Sequence, residues 1–163
     1  MIVGILSDTH GRADATAAAV NLLRERQAEF FIHCGDVGSE GVLDQLAGLP
    51  AAFVWGNTDW DRNGLQRYAQ DLGITCLGSF GELALGGKRF AILHGDDEKT
   101  KMRVLAGQQH DYLLQGHTHV RQDRHVGTIR CINPGALHRA REKTVAVLDT
   151  AVDELSFVRV EGI

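Results

Sequence analysis

Cysteine is scarce in this sequence, and its three copies form no recognisable motif. Cys34, Cys76 and Cys131 are widely spaced and odd in number, and no Cys-x-x-Cys pair occurs. This argues against a disulfide framework and against a thiolate zinc site. It favours reduced thiols, as in a cytoplasmic protein.

Long apolar runs are also absent. No stretch approaches the ~20 apolar residues that a membrane span needs. The apolar run at the start of the sequence ends at Asp8, which is too short for a signal peptide. We therefore expect a soluble, cytoplasmic protein that does not contact a membrane.

The sequence has no basic run and no excess of positive charge. It contains 17 Lys and Arg against 21 Asp and Glu, a formal net charge of −4. Such a chain is poorly suited to hold a long nucleic acid by its phosphates. No linker, repeat or low-complexity segment divides the sequence, so a single domain spanning residues 1–163 is expected.

The first half of the sequence alternates between strand-like apolar runs and helix-like spacing. Strands are predicted over residues 2–6, 30–32 and 51–55, and helices over 12–27, 40–47 and 65–72. Alternation of this kind favours a parallel sheet covered by helices.

The second half is richer in strand-like segments. Gly86-Gly87 is a two-residue hairpin signal between apolar runs. Strands are predicted over residues 81–85, 88–93, 112–114, 120–125, 128–132, 144–148 and 155–160, and a helix over 98–109. Most of these strands are expected to be antiparallel. The whole sequence predicts an α/β (α+β) fold of two packed mixed sheets with helices outside.

Polar residues follow five of the apolar runs. The five segments are Ser7-Asp8-Thr9-His10, His33-Cys34-Gly35-Asp36, Gly56-Asn57-Thr58-Asp59, His94-Gly95-Asp96 and Gln115-Gly116-His117-Thr118-His119. In α/β folds, ligands bind outside the carboxyl ends of strands, so these segments can converge on one spot. Their carboxylate, imidazole and amide donors, without thiolate, suit Mn, Fe, Ni or Zn.

The spacing within two of these segments fits coordination. Asp8 and His10 are two residues apart, as are His117 and His119. In an extended chain, residues two apart point to the same side. Each pair is therefore expected to direct two donors to one metal or to neighbouring metals.

Four of the five segments also have an ordinary structural interpretation, whereas the two imidazoles of His117 and His119 have few structural uses. Asp8 could cap a helix, Gly35-Asp36 and Gly56-Asn57 could be plain turns, and His94 could be a hydrogen-bonded core histidine. The ordered occurrence of all five segments favours the metal site over these separate explanations.

The ordered set resembles the motifs of the calcineurin-like metallophosphoesterases, and most closely their small single-domain phosphodiesterases from bacteria and archaea. Asn133-Pro134-Gly135 also resembles a late loop of that subfamily. The resemblance implies a four-layer sandwich, two packed mixed sheets flanked by helices, in agreement with the pattern above. It also implies a hydrolase, with phosphodiesters preferred over monoesters.

The same resemblance implies two divalent metal ions (Mn, Ni, Fe or Zn) as cofactors. One ion would be held by Asp8, His10, Asp36 and His119, and the other by Asp36, Asn57, His94 and His117. Asp36 would bridge the ions, and a hydroxide between them would attack phosphorus in line. The centre would keep a positive charge and attract a phosphate anion despite the acidic chain.

Some positions depart from the family pattern or fall outside it. Larger relatives carry a histidine where this chain has Thr58, and a hydroxyl cannot replace it as a general acid near neutral pH. This predicts a preference for substrates with good leaving groups. Asp96 also replaces a histidine of some relatives and adds negative charge near the phosphate. The remaining histidines match no ligand position and are expected to be structural or on the surface: His33, His110, His125 and His138.

Two further residues are predicted to assist the site. Asp59 is expected to orient a metal ligand and to count, with Asn57, among the catalytic residues, with helix capping as its alternative. Arg12 is expected to contact substrate phosphate, with an exposed position at a helix start as its alternative.

The predicted substrate is a small phosphodiester or a nucleotide-like molecule. Three other functions stay open: a non-catalytic protein-binding scaffold like the retromer subunit of this fold, a mononuclear metal-binding or regulatory protein, and a nuclease for short oligonucleotides or cyclic nucleotides. The complete ligand set argues against the scaffold, whose ligand set is incomplete. A homo-oligomer paired through a sheet edge also stays open.

Overall fold

The computed structural model describes residues 1–162. Along these residues the elements are β1 (Ile2–Leu6), α1 (Ala13–Glu25), β2 (Phe30–His33), α2 (Glu40–Asp44), β3 (Ala51–Phe53), α3 (Arg62–Asp71), β4 (Thr75–Cys76), β5 (Phe80–Leu85), β6 (Lys88–Leu93), α4 (Glu98–Gly107), β7 (Tyr112–Leu114), β8 (Gln122–Val126), β9 (Ile129–Asn133), β10 (Thr144–Asp149) and β11 (Glu154–Arg159).

The first sheet has the strand order β11-β10-β1-β2-β3-β4. Strands β1 to β4 are parallel, as the alternation of strands and helices predicts. The late strand β10 joins this sheet antiparallel to β1, with Ile2 opposite Asp149. Strand β1 is therefore central, which explains why its side chains after Ile2 are all buried.

The second sheet has the order β5-β6-β7-β9-β8. The hairpin between β5 and β6 forms as predicted, with positive φ angles at Gly86 and Gly87. The expectation of mostly antiparallel strands is wrong for the centre of this sheet, because β7 runs parallel to both β6 and β9. The helix α4 crosses over between β6 and β7, and such a crossover produces parallel neighbours.

The two sheets pack face to face, and helices cover their outer faces. Ile5 and Ile32 of the first sheet lie in one buried cluster with Phe90 and Leu114 of the second. Helices α1 to α3 pack on the other face of the first sheet. Helix α4 packs through Val104 and its neighbours on the second sheet. This is the predicted four-layer arrangement.

Smaller differences concern element ends. The two-residue strand β4 has too little pattern to be predicted, and α2 ends at Asp44 rather than at Ala47. The three cysteines are free, as expected. None of the helices formed by residues 1–162 has the length and apolarity to cross a membrane.

Candidate metal centre

The loops that follow β1, β2, β3, β6 and β7 meet at one edge of the two sheets. At their centre, Asp36 Oδ2 lies 3.4 Å from His10 Nε2 and 3.3 Å from His94 Nε2. Asn57 Oδ1 lies 3.1 Å from the same nitrogen of His94. The strand-end segments therefore converge as the sequence analysis expects.

The remaining predicted ligands lie on either side of this centre. His119 Nε2 is 3.2 Å from Asp8 Oδ1, and the rings of His10 and His119 are 5.6 Å apart. The ring of His117 is 5.1 Å from that of His94. All seven side chains that were predicted as metal ligands thus surround one small volume.

Two sets of donors in this volume are close enough to hold an ion each. The candidate ligand atoms of each set lie within 4.8 Å of one another. The sets are Asp8 with His10 and His119, and Asp8 with Asp36 and His94. Asp8 belongs to both sets, and Asp36 contacts a histidine of each.

Unpaired buried atoms test whether these residues fit a cation. Asp8 Oδ1 and His10 Nε2 are buried and make no hydrogen bond. Asp8 is fully buried, and its other oxygen accepts the backbone N–H of His117 at 3.1 Å. His119 Nε2 lies 3.2 Å from Asp8 Oδ1 but forms no hydrogen bond with it. A buried carboxylate oxygen without a hydrogen bond is costly, and a divalent cation would remove that cost. The donor set fits a metal.

His94 is held with one nitrogen directed at the centre. Its Nδ1 is 2.8 Å from the carbonyl oxygen of Cys34, which can only accept, so Nδ1 donates. In the neutral ring, Nε2 is therefore free to coordinate a metal. Burial lowers the pKa of His94, but Asp36, the Cys34 carbonyl and Asp8 outweigh burial and raise the pKa to about 8. The oxygens around Nε2 form an environment that attracts positive charge.

Asp36 is held in its ionised form. Burial acts to raise the pKa of its carboxyl, but His94 and the backbone N–H of Thr58 hold that pKa well below its usual range. The Thr58 N–H donates to Asp36 Oδ1 at 2.9 Å, and this bond leaves Oδ2 directed at His10 and His94.

The backbone is unusual at the candidate ligands. Nine non-glycine residues among 1–162 have positive φ, and five of them are predicted ligands: Asp8, His10, Asp36, His117 and His119. Left-handed backbone is unfavourable for side chains other than glycine and recurs at functional sites. The finding also corrects the geometric expectation for residues two apart, because Asp8 and His10 reach the centre from a turn and not from extended chain.

Asp59 links two loops beneath the centre by hydrogen bonds. It is buried, and its carboxylate accepts the backbone N–H groups of Gly38 at 2.9 Å and Gly56 at 2.8 Å. Helix capping is wrong as its alternative role, because Asp61 caps α3. Asp59 holds the loop that carries Asn57 through its backbone.

Arg12 is paired within its own segment. Its Nε and Nη2 donate to Asp14 at 3.1 and 3.0 Å on the surface. Arg12 precedes α1 directly, which matches its alternative position at a helix start, and Asp8 does not cap that helix. Contact between Arg12 and substrate phosphate stays a prediction.

The sequence analysis did not place two residues near the centre: Arg62, which it did not single out, and His138, which it assigned to the structural or surface histidines. Arg62 donates to the carbonyl oxygens of Asp59 at 3.1 Å and Gly56 at 3.0 Å. It therefore stabilises the loop that carries Asn57. The ring of His138 is 5.3 Å from that of His10. Neither residue belongs to a recognisable motif, and only the folded loops bring them to the site.

His33 supports the centre from below, as a structural histidine. Its buried Nδ1 accepts the N–H of Gly35 at 3.2 Å, so Nε2 carries the proton and donates to Thr9 Oγ1 at 2.9 Å. The Thr9 hydroxyl lies 3.2 Å from the carbonyl oxygen of Asp36, to which it donates in turn. Burial and the charge of His94 lower the pKa of His33 to about 3.

This lowered pKa predicts a loss of stability in acid. An unfolded histidine protonates near pH ~6.5, whereas folded His33 stays neutral down to about pH 3. The unfolded chain therefore binds one more proton in this window, and the free energy of unfolding falls by up to ~1.4 kcal/mol per pH unit as the pH drops. Denaturant unfolding of chelator-treated protein between pH 7.5 and 4 measures the slope.

The variant His33→Gln cannot titrate and is expected to lose that part of the slope. His125→Gln, at an exposed position on β8, is the matched control and should keep the slope of the unchanged chain. Equal slopes for His33→Gln and the unchanged chain would contradict the assignment.

The fold and the centre together define a class of protein. The sequence profile of the calcineurin-like phosphoesterase superfamily domain matches residues 1–153, and the chain belongs to this family. A curated phosphodiesterase from Methanocaldococcus jannaschii is 28% identical to it over 159 residues, which cover 94% of this chain and 96% of that protein.

Solved structures agree with this assignment. The structure of an archaeal phosphodiesterase superposes with a TM-score of 0.90 at 26% identity and covers 98% of this chain and 99% of its own. Vps29 from Entamoeba histolytica, solved in complex with Zn²⁺, superposes with a TM-score of 0.70 at 18% identity and covers 100% of this chain and 95% of its own. The similarity to Vps29 concerns the fold alone.

Proposed function

We propose that the chain is a metal-dependent phosphodiesterase with a dinuclear centre. The observation that carries this proposal is the pair of buried ligand atoms without a hydrogen bond, Asp8 Oδ1 and His10 Nε2, among seven converging donor side chains. The similarity to the archaeal phosphodiesterases supports the diester preference.

The proposed ligands divide between two ions. One set is Asp8, His10, Asp36 and His119, and the other is Asp36, Asn57, His94 and His117. The position of Asp36 Oδ2 between His10 Nε2 and His94 Nε2 supports its role as the bridge. When bound, two divalent ions supply Lewis-acid charge for phosphoryl oxygens and acidify water near neutral pH.

The chain itself orients these ligands. The Cys34 carbonyl aligns His94, the Thr58 N–H aligns Asp36, and the Thr58 hydroxyl lies 3.4 Å from His10 Nδ1. Thr58 thus positions two proposed ligands instead of supplying a general acid. Because a hydroxyl donates protons poorly near neutral pH, we expect substrates with good leaving groups to react fastest.

A protein-binding scaffold is the alternative function, and the Vps29 likeness is one of fold alone. The two donor sets and the strained backbone at five ligands favour catalysis, because a scaffold has no need to keep them.

Metal reconstitution tests the proposal. Metal-free protein is loaded with Mn, Ni, Fe or Zn, its metal content is measured, and bis(p-nitrophenyl) phosphate is compared with p-nitrophenyl phosphate. We expect two ions per chain and faster turnover of the diester. Faster turnover of the monoester would overturn the diester preference. Two ions without turnover would favour the scaffold, and one ion with full turnover would overturn the dinuclear centre.

A further inference from the structure

A cavity of about 480 Å³ lies beside the proposed centre, and His119 forms part of its wall. Its other lining residues are Val120, Arg121, Arg141, Glu142 and Thr144. Cavities of this size hold small organic ligands. His119 Nε2 also lies 3.2 Å from Asp8 Oδ1, so the cavity and the proposed centre share one residue.

The cavity carries positive charge that the fold leaves available. Within residues 1–162, the Arg141 side chain has no hydrogen bond or ion pair. Arg121 lies 3.8 Å from Glu142, a loose and exposed pair, and its guanidinium lies over the ring of Phe157 at 5.9 Å. Two guanidinium groups against one carboxylate leave a net positive charge, in a chain whose formal charge is −4.

The loop that supplies Arg141 also reaches the other side of the centre. Its His138 lies against His10, and Arg139 is the next residue of the same loop. The loop with Arg139 and Arg141 therefore adds positive charge on the His10 and His119 side of the centre. Guanidinium groups suit phosphate and carboxylate because they offer several donors in one plane.

We propose that this cavity is a subsite for a second anionic group of the substrate, a phosphate or a carboxylate, bound by Arg141 with Arg121. The proposal rests on the proposed function, since the first phosphate is the one held at the centre. Val120 is 65% exposed at the cavity and gives an apolar surface for the part of the substrate between the two anions. The substrate class is thus a phosphodiester with a further anionic group, as in a dinucleotide with a terminal phosphate. Adenosine 3′,5′-bisphosphate, whose two phosphates are monoesters, carries two such anionic groups without a diester bond to cleave and so serves as a binding probe.

Equilibrium binding to the metal-loaded protein tests this subsite without turnover. Adenosine 3′,5′-bisphosphate and adenosine 5′-monophosphate are titrated by calorimetry at one ionic strength, with metal content measured on the same samples. The unchanged chain is expected to bind the bisphosphate about tenfold tighter, the usual size of one charge-assisted contact. Arg141→Gln is expected to remove most of that difference.

A second variant separates the subsite from general charge. Arg24→Gln removes one positive charge from the exposed surface of α1 and should keep the preference of the unchanged chain. Equal affinities for the two nucleotides in the unchanged chain, or a full preference in Arg141→Gln, would overturn the subsite. If loading left no metal bound while the preference for the bisphosphate still depended on Arg141, the subsite would stand and the dinuclear centre would be overturned.

Discussion

Asp36→Asn is expected to abolish diester turnover while the chain stays folded. Asparagine keeps the shape of the side chain and an oxygen for the Thr58 N–H, which donates at 2.9 Å. It removes the negative charge between His10 Nε2 and His94 Nε2. Loss of the bridging charge removes several kcal/mol of stabilisation, so we expect kcat to fall by about a thousandfold or more.

Metal content and unfolding separate this effect from misfolding. Asp36→Asn should bind fewer than two ions per chain, and its unfolding transition without metal should stay cooperative. Asp44→Asn is the matched control, because Asp44 is exposed and accepts the Tyr68 hydroxyl at 2.6 Å. The asparagine of this variant keeps an oxygen for that hydrogen bond. Full activity with two ions bound in Asp36→Asn would show that the bridging ligand is misassigned.

Gly56→Ala is expected to disrupt the centre through steric overlap, without removing any proposed ligand. A Cβ at position 56 would overlap the backbone nitrogen and carboxylate of Asp36, and neither can move freely. The backbone N–H of Gly56 donates to Asp59, and its carbonyl accepts from Arg62. These hydrogen bonds prevent the loop from moving away from Asp36. We expect a loss of about 2–3 kcal/mol in the free energy of unfolding, as for overpacked cores, and metal affinity weaker by about tenfold or more.

Gly107→Ala is the control for this substitution. Gly107 ends α4, and the nearest atom to a Cβ there would be Gln109 Cγ at 3.8 Å, an ordinary contact. That change should leave metal affinity unaltered and stability equal or slightly higher. Urea unfolding and metal titration of the two variants give the comparison. If Gly56→Ala unfolded and bound metal like Gly107→Ala, close packing of the loop on Asp36 would not matter to the centre.

The centre could be predicted largely from sequence because its residues follow apolar strands in fixed order. Asp8, Asp36 and His94 each come directly after a strand or its first loop residues, and parallel strands bring such ends together. The left-handed backbone was not foreseeable from spacing. Neither was the contact of His138 with His10, since it depends on how a long loop folds back.

Sheet membership was harder to predict than strand position. The residues of β10 predict a strand, but no residue near it in sequence indicates that it pairs with β1. The direction of β7 likewise depends on partners distant in sequence. The position of Asp59 is also compatible with a helix cap, and only the folded loop shows that Asp61 caps α3 instead.

The pairing of β1 with β10 has a consequence for the order of events during synthesis. While the ribosome is still making the first half of the chain, β1 lacks one of its two neighbours, and Asp8 lacks the N–H of His117, 109 residues further on. Contacts between such distant segments form late and slowly in folding. The nascent chain therefore lacks part of the proposed ligand set, and we expect the full set to come together only once β10 has paired with β1.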